Sequence, residues 1–172
     1  MKLVTRIAAA LGLAALLATV GLFAIGRDRV WKMIAGPADQ GPADFANLER
    51  RASGNDALAC SPGACGPLKP DVILPVVKAA PPEILRSLDR ILLAEPGAER
   101  VDGGKRPGYR RYVVRTRILR FPDTVDAEAV ATMGGTALKI YSRSLLGRGD
   151  FGANRRRLEA IAERLEAGTT KP

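Results

Sequence analysis

Residues 7–25 form a run of nineteen without a single charge, built mostly from Ala and Leu. As a helix this run is about 28 Å long, close to the hydrocarbon thickness of a bilayer. It is long enough to span, and Lys2 and Arg6 precede it. The competing reading is a cleaved signal peptide, for which Ala24 and Gly26 offer a small-x-small site ahead of Arg27. The run exceeds the usual signal-peptide core, so residues 1–26 are expected to be a single-pass transmembrane anchor, with the signal segment as the alternative. Charge alone does not set the orientation, because Arg27, Arg29 and Lys32 nearly balance Lys2, Arg6 and the amino terminus.

The remainder of the 172-residue chain has one domain's length. Histidine is absent, which removes Ser-His-Asp and Cys-His catalysis together with the commonest metal ligand. Two cysteines cannot build a four-ligand zinc site, and neither a metal nor a cofactor is expected. A formal charge of +9 suits anionic partners such as lipid headgroups, acidic glycans or nucleic acid, and an acidic protein or another anionic ligand is the partner expected. Aromatics make up only 5% and no basic run alternates with them, so nucleic acid is not an expected partner.

Cys60-Ser61-Pro62-Gly63-Ala64-Cys65 places two thiols around a Pro-Gly turn, which can bring their Cα atoms within the bridging range of about 4.4 to 6.8 Å. A disulfide is expected ahead of free thiols or a redox pair, since redox pairs usually have two intervening residues and a helix N-terminus. A bridge needs an oxidising compartment. It therefore points to a membrane-anchored chain whose domain is extracytoplasmic.

Residues 27–70, rich in Gly, Pro, Ala, Asp and Asn, read as a connector with the Cys60/Cys65 corner and a short helix over 43–51. An α+β globular domain is expected over 71–168. Residues 72–77 suggest a strand that Pro75 assigns to a sheet edge. Pro81 and Pro82 open a helix with Ile84, Leu85, Leu88, Ile91 and Leu92 on one face, and Pro96-Gly97 stops it. Residues 98–102 suggest a short strand. A strand over 112–119 then puts Arg115 and Arg117 on one side, and a return strand after Phe121-Pro122-Asp123 puts Asp126 and Glu128 there too. A hairpin with Gly134-Gly135 as its two-residue loop leads to a third strand over 137–142, and would set Asp126 opposite Arg143. The expected fold is thus a small antiparallel sheet with a three-stranded meander, two helices packed on one face, and the transmembrane helix ahead of it.

In this register the charged side chains form one row on an uncovered sheet face, with Val114, Ile118, Val125, Leu138 and Ile140 on the reverse. The bland reading is a set of solvated cross-strand ion pairs, each contributing about 0.2 to 1 kcal/mol. The functional reading is an anion-recognition platform of Arg115, Arg117, Arg143 and Arg148, with Asp126 and Glu128 as charge partners. The last segment reads as a helix with Phe151, Leu158, Ile161, Ala162 and Leu165 as its apolar stripe. Asp150 is its N-cap, and Asn154, on the inward side, is expected to tie the 144–149 loop to the helix. The capping role leaves Arg148-Gly149-Asp150 little claim as an adhesion tripeptide. Ser142 and Ser144, without histidine or lysine in register, read as loop anchors rather than nucleophiles.

Three ordered blocks then carry a resemblance: Arg120-Phe121-Pro122-Asp123, Tyr141-Ser142-Arg143-Ser144, and Gly147-Arg148-Gly149-Asp150-Phe151-Gly152-Ala153-Asn154-Arg155. With the entry motif Asn55-Asp56 through Cys60, they resemble an uncharacterised bacterial domain-of-unknown-function family, number fourteen ninety-nine. The chain departs from the family pattern at Gly149 and Ala153. The resemblance implies a small, often membrane-anchored or exported bacterial protein, so the anchor is expected in the inner membrane with the domain facing the periplasm, and it assigns no activity. Two functions are compatible with the residues. One is a non-enzymatic module that binds an anionic ligand or acidic partner through its arginine forks. The other is a hydrolase or transferase using Asp123, Asp126 or Glu128 as acid or base.

Overall fold

The computed structural model describes residues 2–169, so Met1 of the expected anchor segment lies outside the described residues. Helix α1, Lys2–Ile25, is long and apolar enough to cross a bilayer, and none of its residues is buried against the domain. Gly26 interrupts it at φ 94, a conformation glycine adopts without steric cost, and α2, Arg27–Ala35, begins at once.

The domain contains β1 (Asp56–Cys60), β2 (Val72–Ile73), α3 (Pro81–Leu93), β3 (Glu99–Arg100), β4 (Tyr109–Arg115), β5 (Pro122–Thr132), β6 (Gly135–Ser144) and α4 (Ala153–Thr169). Its six strands form one sheet in the order β2-β1-β6-β5-β4-β3. The β1–β2 pair is parallel and the other neighbours are antiparallel, so the α+β class holds while the sheet is mixed rather than antiparallel. Strand β1 lies within the stretch expected to be connector. In it Leu58 and Cys60 face one side and Ala57 and Ala59 the other, and all four are buried. The helix expected over 43–51 is not formed; this segment runs as bends across the sheet.

The face towards α3 and α4 closes by apolar packing. Ile84, Leu85, Leu88 and Leu92 from α3 and Leu158, Ile161 and Leu165 from α4 meet Tyr112, Val114, Val125, Leu138 and Ile140. Small side chains at Ala127 and Ala129 let the helices seat on the middle strand. Each fully buried Leu or Ile here contributes about 1.5–3 kcal/mol. Phe151, expected to start the α4 stripe, is instead 97% exposed, because it sits at φ 51 in the turn before the helix.

The opposite face is covered as well. Ala43, Phe45 and Leu48 pack over Leu58, Cys60 and Tyr141, and the Cys60–Cys65 disulfide, with Cα atoms 5.9 Å apart, closes one corner of this second cluster. The charged row is therefore not an uncovered surface. The covering strand of chain has little periodicity, and only its long-range contacts reveal its place.

Two register details differ from expectation. The β5–β6 hairpin pairs Thr132 with Gly135, so Met133-Gly134 is the loop, and Asp126 faces Tyr141 while Arg143 faces Thr124. Gly135 is needed within the ladder because the Val77 backbone bridges Thr136 and would collide with a Cβ at position 135. The shift of two residues preserves which face each side chain takes. Strand β4 ends at Arg115 rather than at Leu119. Thr116 closes a loop over 116–121: its carbonyl accepts from Arg120 N at 3.0 Å and its hydroxyl from Phe121 N at 3.0 Å.

Candidate functional site

On the covered face, Asp126 is fully buried and Arg143 is 7% exposed. Arg143 Nη1 lies 2.8 Å from Asp126 Oδ2, yet that oxygen accepts no hydrogen bond, so the contact is ionic and off the N–H axis. Asp126 Oδ1 accepts from the Tyr109 hydroxyl and from Ala43 N, the latter at 3.0 Å. Burial raises the Asp126 carboxyl above its ordinary value, and it outweighs the opposing pull of Arg143 and Tyr109. Arg143 Nη2 donates to Gly41 O at 2.6 Å and Arg111 forks onto Asp39 at 2.8 and 2.9 Å, so both tie the covering segment to the sheet. Glu128 pairs with Lys139 at 2.9 Å.

Asp56, from the entry motif, takes Arg50 Nε at 3.1 Å, Arg51 N at 2.9 Å and the Tyr141 hydroxyl at 2.6 Å. Burial opposes ionisation there, but these donors outweigh it and hold the carboxyl below the usual aspartate range.

On the helix face, Asn154 is fully buried and forms a hub. Its Nδ2 donates to Ser144 Oγ at 2.9 Å, Asn55 O at 3.1 Å and Asp150 Oδ2 at 2.6 Å. Its Oδ1 accepts from Ser142 Oγ at 2.6 Å and Arg157 Nη1 at 2.8 Å. Arg157 Nη2 also reaches Asp123 Oδ2 at 2.7 Å. Asp150 accepts from the amides of Gly152 and Asn154, both at 2.8 Å. The sequence blocks singled out above therefore converge on two polar networks at one end of the sheet. Their side chains are spent on one another, which is the chemistry of a structural lock.

The four arginines of the expected platform do not come together. Arg143 is locked under the covering segment. Arg115 is turned to the β3 edge and α2, where it meets Glu99 at 2.7 Å and Asp28 at 3.6 Å. Arg117 and Arg148 are exposed in separate loops. Of the carboxylates weighed as acid or base, Asp123 and Asp126 are 2% and 0% exposed, and Glu128 is half-buried in its pair with Lys139.

The structure instead assembles cations that no sequence block marks. A groove of ≈ 980 Å³ runs between the residues after β2, the outer side of α3 and the end of α4. Lys78, Arg86, Arg90 and Arg164 line it together with one carboxylate, Glu83, and Val76, Ile84, Ile91 and Leu165 form its apolar wall. None of these cations makes an ion pair with a described residue; Arg90 donates to Ser87 Oγ at 2.9 Å and Arg164 to Ile91 O at 3.4 Å. The sequence held one clue. Arg86 and Arg90 stand four apart on a helix, where like charges repel by about 0.2–0.5 kcal/mol.

No curated protein matches the chain. A family model described as Protein of unknown function (DUF1499) matches residues 42–165, and the chain belongs to that family. The match begins within the segment that covers the second sheet face and ends at Leu165 of α4.

Proposed function

From membership of a family with no assigned activity, we propose that this chain is a single-pass, periplasm-facing, non-enzymatic binding module whose basic groove takes an acidic partner segment. The single observation that carries the reading is the gathering of Lys78, Arg86, Arg90 and Arg164, all without ion-pair partners among the described residues, along one half-apolar groove. Such cations keep their field for a partner, whereas those of the sheet are neutralised by neighbours. Helix α1 supports anchoring and the Cys60–Cys65 bridge supports an oxidising compartment. One end of the groove adjoins the β5–β6 hairpin, where Val76 lies against Gly134. That end is about 34 Å along β5 from the loop that meets α2, which suits a partner in the aqueous phase rather than the bilayer.

The test uses the full chain in nanodiscs of zwitterionic lipid and calorimetry with a Leu/Glu peptide and its Leu/Gln counterpart. The Glu peptide is expected to bind, to weaken with salt, and to lose at least about tenfold in affinity in an Arg86→Glu/Arg90→Glu variant. Equal binding of both peptides, or an unchanged affinity in a variant that keeps its fold, overturns the reading.

A further inference from the structure

We infer that the 116–121 loop is a second membrane contact: Ile118 enters the interfacial zone of the leaflet that α1 leaves, and Arg117 with Arg29 of α2 holds anionic phosphate headgroups. The inference rests on the anchor part of the reading above and is independent of the groove.

The position of the loop is fixed by α2. Arg27, two residues beyond the end of α1, donates from Nη1 to Ile118 O at 2.5 Å, and Trp31 Nε1 donates to Leu119 O at 2.6 Å. Trp31 also packs on Phe121 with ring centroids 4.6 Å apart. Arg120 forks onto Asp28 at 2.6 and 2.7 Å. Ile118 is thus held one side chain's reach from the point where the spanning helix ends.

The exposed chemistry matches a headgroup layer. Ile118 is 73% exposed, and on α2 Met33 and Ile34 are each 66% exposed, so apolar side chains project here without cover from the domain. Arg117 precedes Ile118 in the loop and Arg29 and Lys32 stand on α2, and none of the three pairs with a described carboxylate. The nearby carboxylate, Asp28, is already engaged by Arg120 and Arg115. Two clefts of ≈ 330 and ≈ 360 Å³ beside the loop share Asp28, Arg29 and Arg120 in their walls, and of these Arg29 is the one left unpaired. An apolar tip with unpaired cations beside it and on the adjoining helix, delivered to the exit of a membrane helix, has the lipid surface as its natural occupant.

The test places an environment-sensitive fluorophore on Ile118→Cys in the full chain, whose two native cysteines are bridged to each other. The protein is reconstituted in nanodiscs of phosphatidylcholine, with or without phosphatidylglycerol. The expected result is a blue shift and quenching by spin-labelled lipid that are stronger with phosphatidylglycerol and are lost in Arg117→Glu and in Arg117→Glu/Arg29→Glu. A water-like probe in both bilayers overturns the inference, and an equal response in both overturns the headgroup assignment. Alkaline carbonate extraction of native membranes separates the failures. Release of the protein removes the anchor reading and this contact together, while a retained protein with a water-like probe removes the contact alone.

Discussion

The two faces of the sheet are both buried, but by different means. Under α3 and the body of α4 the contact is mainly apolar, with Leu88, Leu138, Ile140 and Leu158 at 0% exposure. The buried polar groups there gather at the start of α4, around Asn154 and the Arg157–Asp123 pair. Under the covering segment, Asp126 with Arg143, Arg111 with Asp39, and Asp56 with Arg50 and Tyr141 do much of the joining. An apolar face is specified by pattern and tolerates small shifts in partner. A polar face demands particular partners, since a lost one strands its mate in a poorly solvated place.

The largest effect should come from breaking one polar partnership. Asp126→Ala leaves the Arg143 guanidinium buried and unpaired, and chemical denaturation should show a loss of about 3–5 kcal/mol. An Asp126→Leu/Arg143→Met double variant should recover much of it, and failure to recover would mean that these charges do more than hold the covering segment. Leu88→Ala, the matching cut on the apolar face, should cost about 2–5 kcal/mol with no second variant that restores it by charge removal.

A smaller effect separates the acids of the polar face by sign. Asp56 is held below the ordinary value of 3.8, so its contribution is present above that pH and fades as pH falls through its lowered value. Asp102 behaves alike: burial opposes its ionisation, but Arg100 and the amides of Gly104 and Arg111 outweigh it and hold the carboxyl at about 2. Asp126 is raised above 3.8, so its contribution is present below that pH and is lost as pH rises through the raised value. Relative to Asp126→Asn, the native protein should therefore lose stability as pH rises from 3.8. A gain over that interval would show that Arg143 outweighs burial.

The same contrast explains what could be read from residues alone. Alternation in β4, β5 and β6 was enough to sort Val114, Val125 and Ile140 from Asp126, Glu128 and Arg143, because a two-residue slip leaves faces unchanged. Prolines at 81 and 82 and Pro96-Gly97 bracketed α3 closely. The cover over the second face was not legible. Residues 36–50 carry no period, and their hold on the sheet comes from bonds such as Gly41 O to Arg143 and Ala43 N to Asp126 that span about a hundred residues or nearly so. Strand β1 was missed because its five residues are flanked by loop composition and owe their extended form to β2 and β6 on either side. The early end of β4 follows from Arg27 and Trp31, which claim the carbonyls of Ile118 and Leu119 from far upstream. Groove cations were equally hidden, since Lys78 and Arg164 become neighbours only once α4 has crossed back over α3.

Asp28 sits between Arg120 and Arg115, two residues past the glycine where the long helix stops. This arrangement turns a bare swivel into a braced joint, with the sheet steered by the rod below it. The brace is ionic and partly exposed, so its stiffness should slacken as electrolyte rises, and the angle at which the outer groove is presented would wander accordingly.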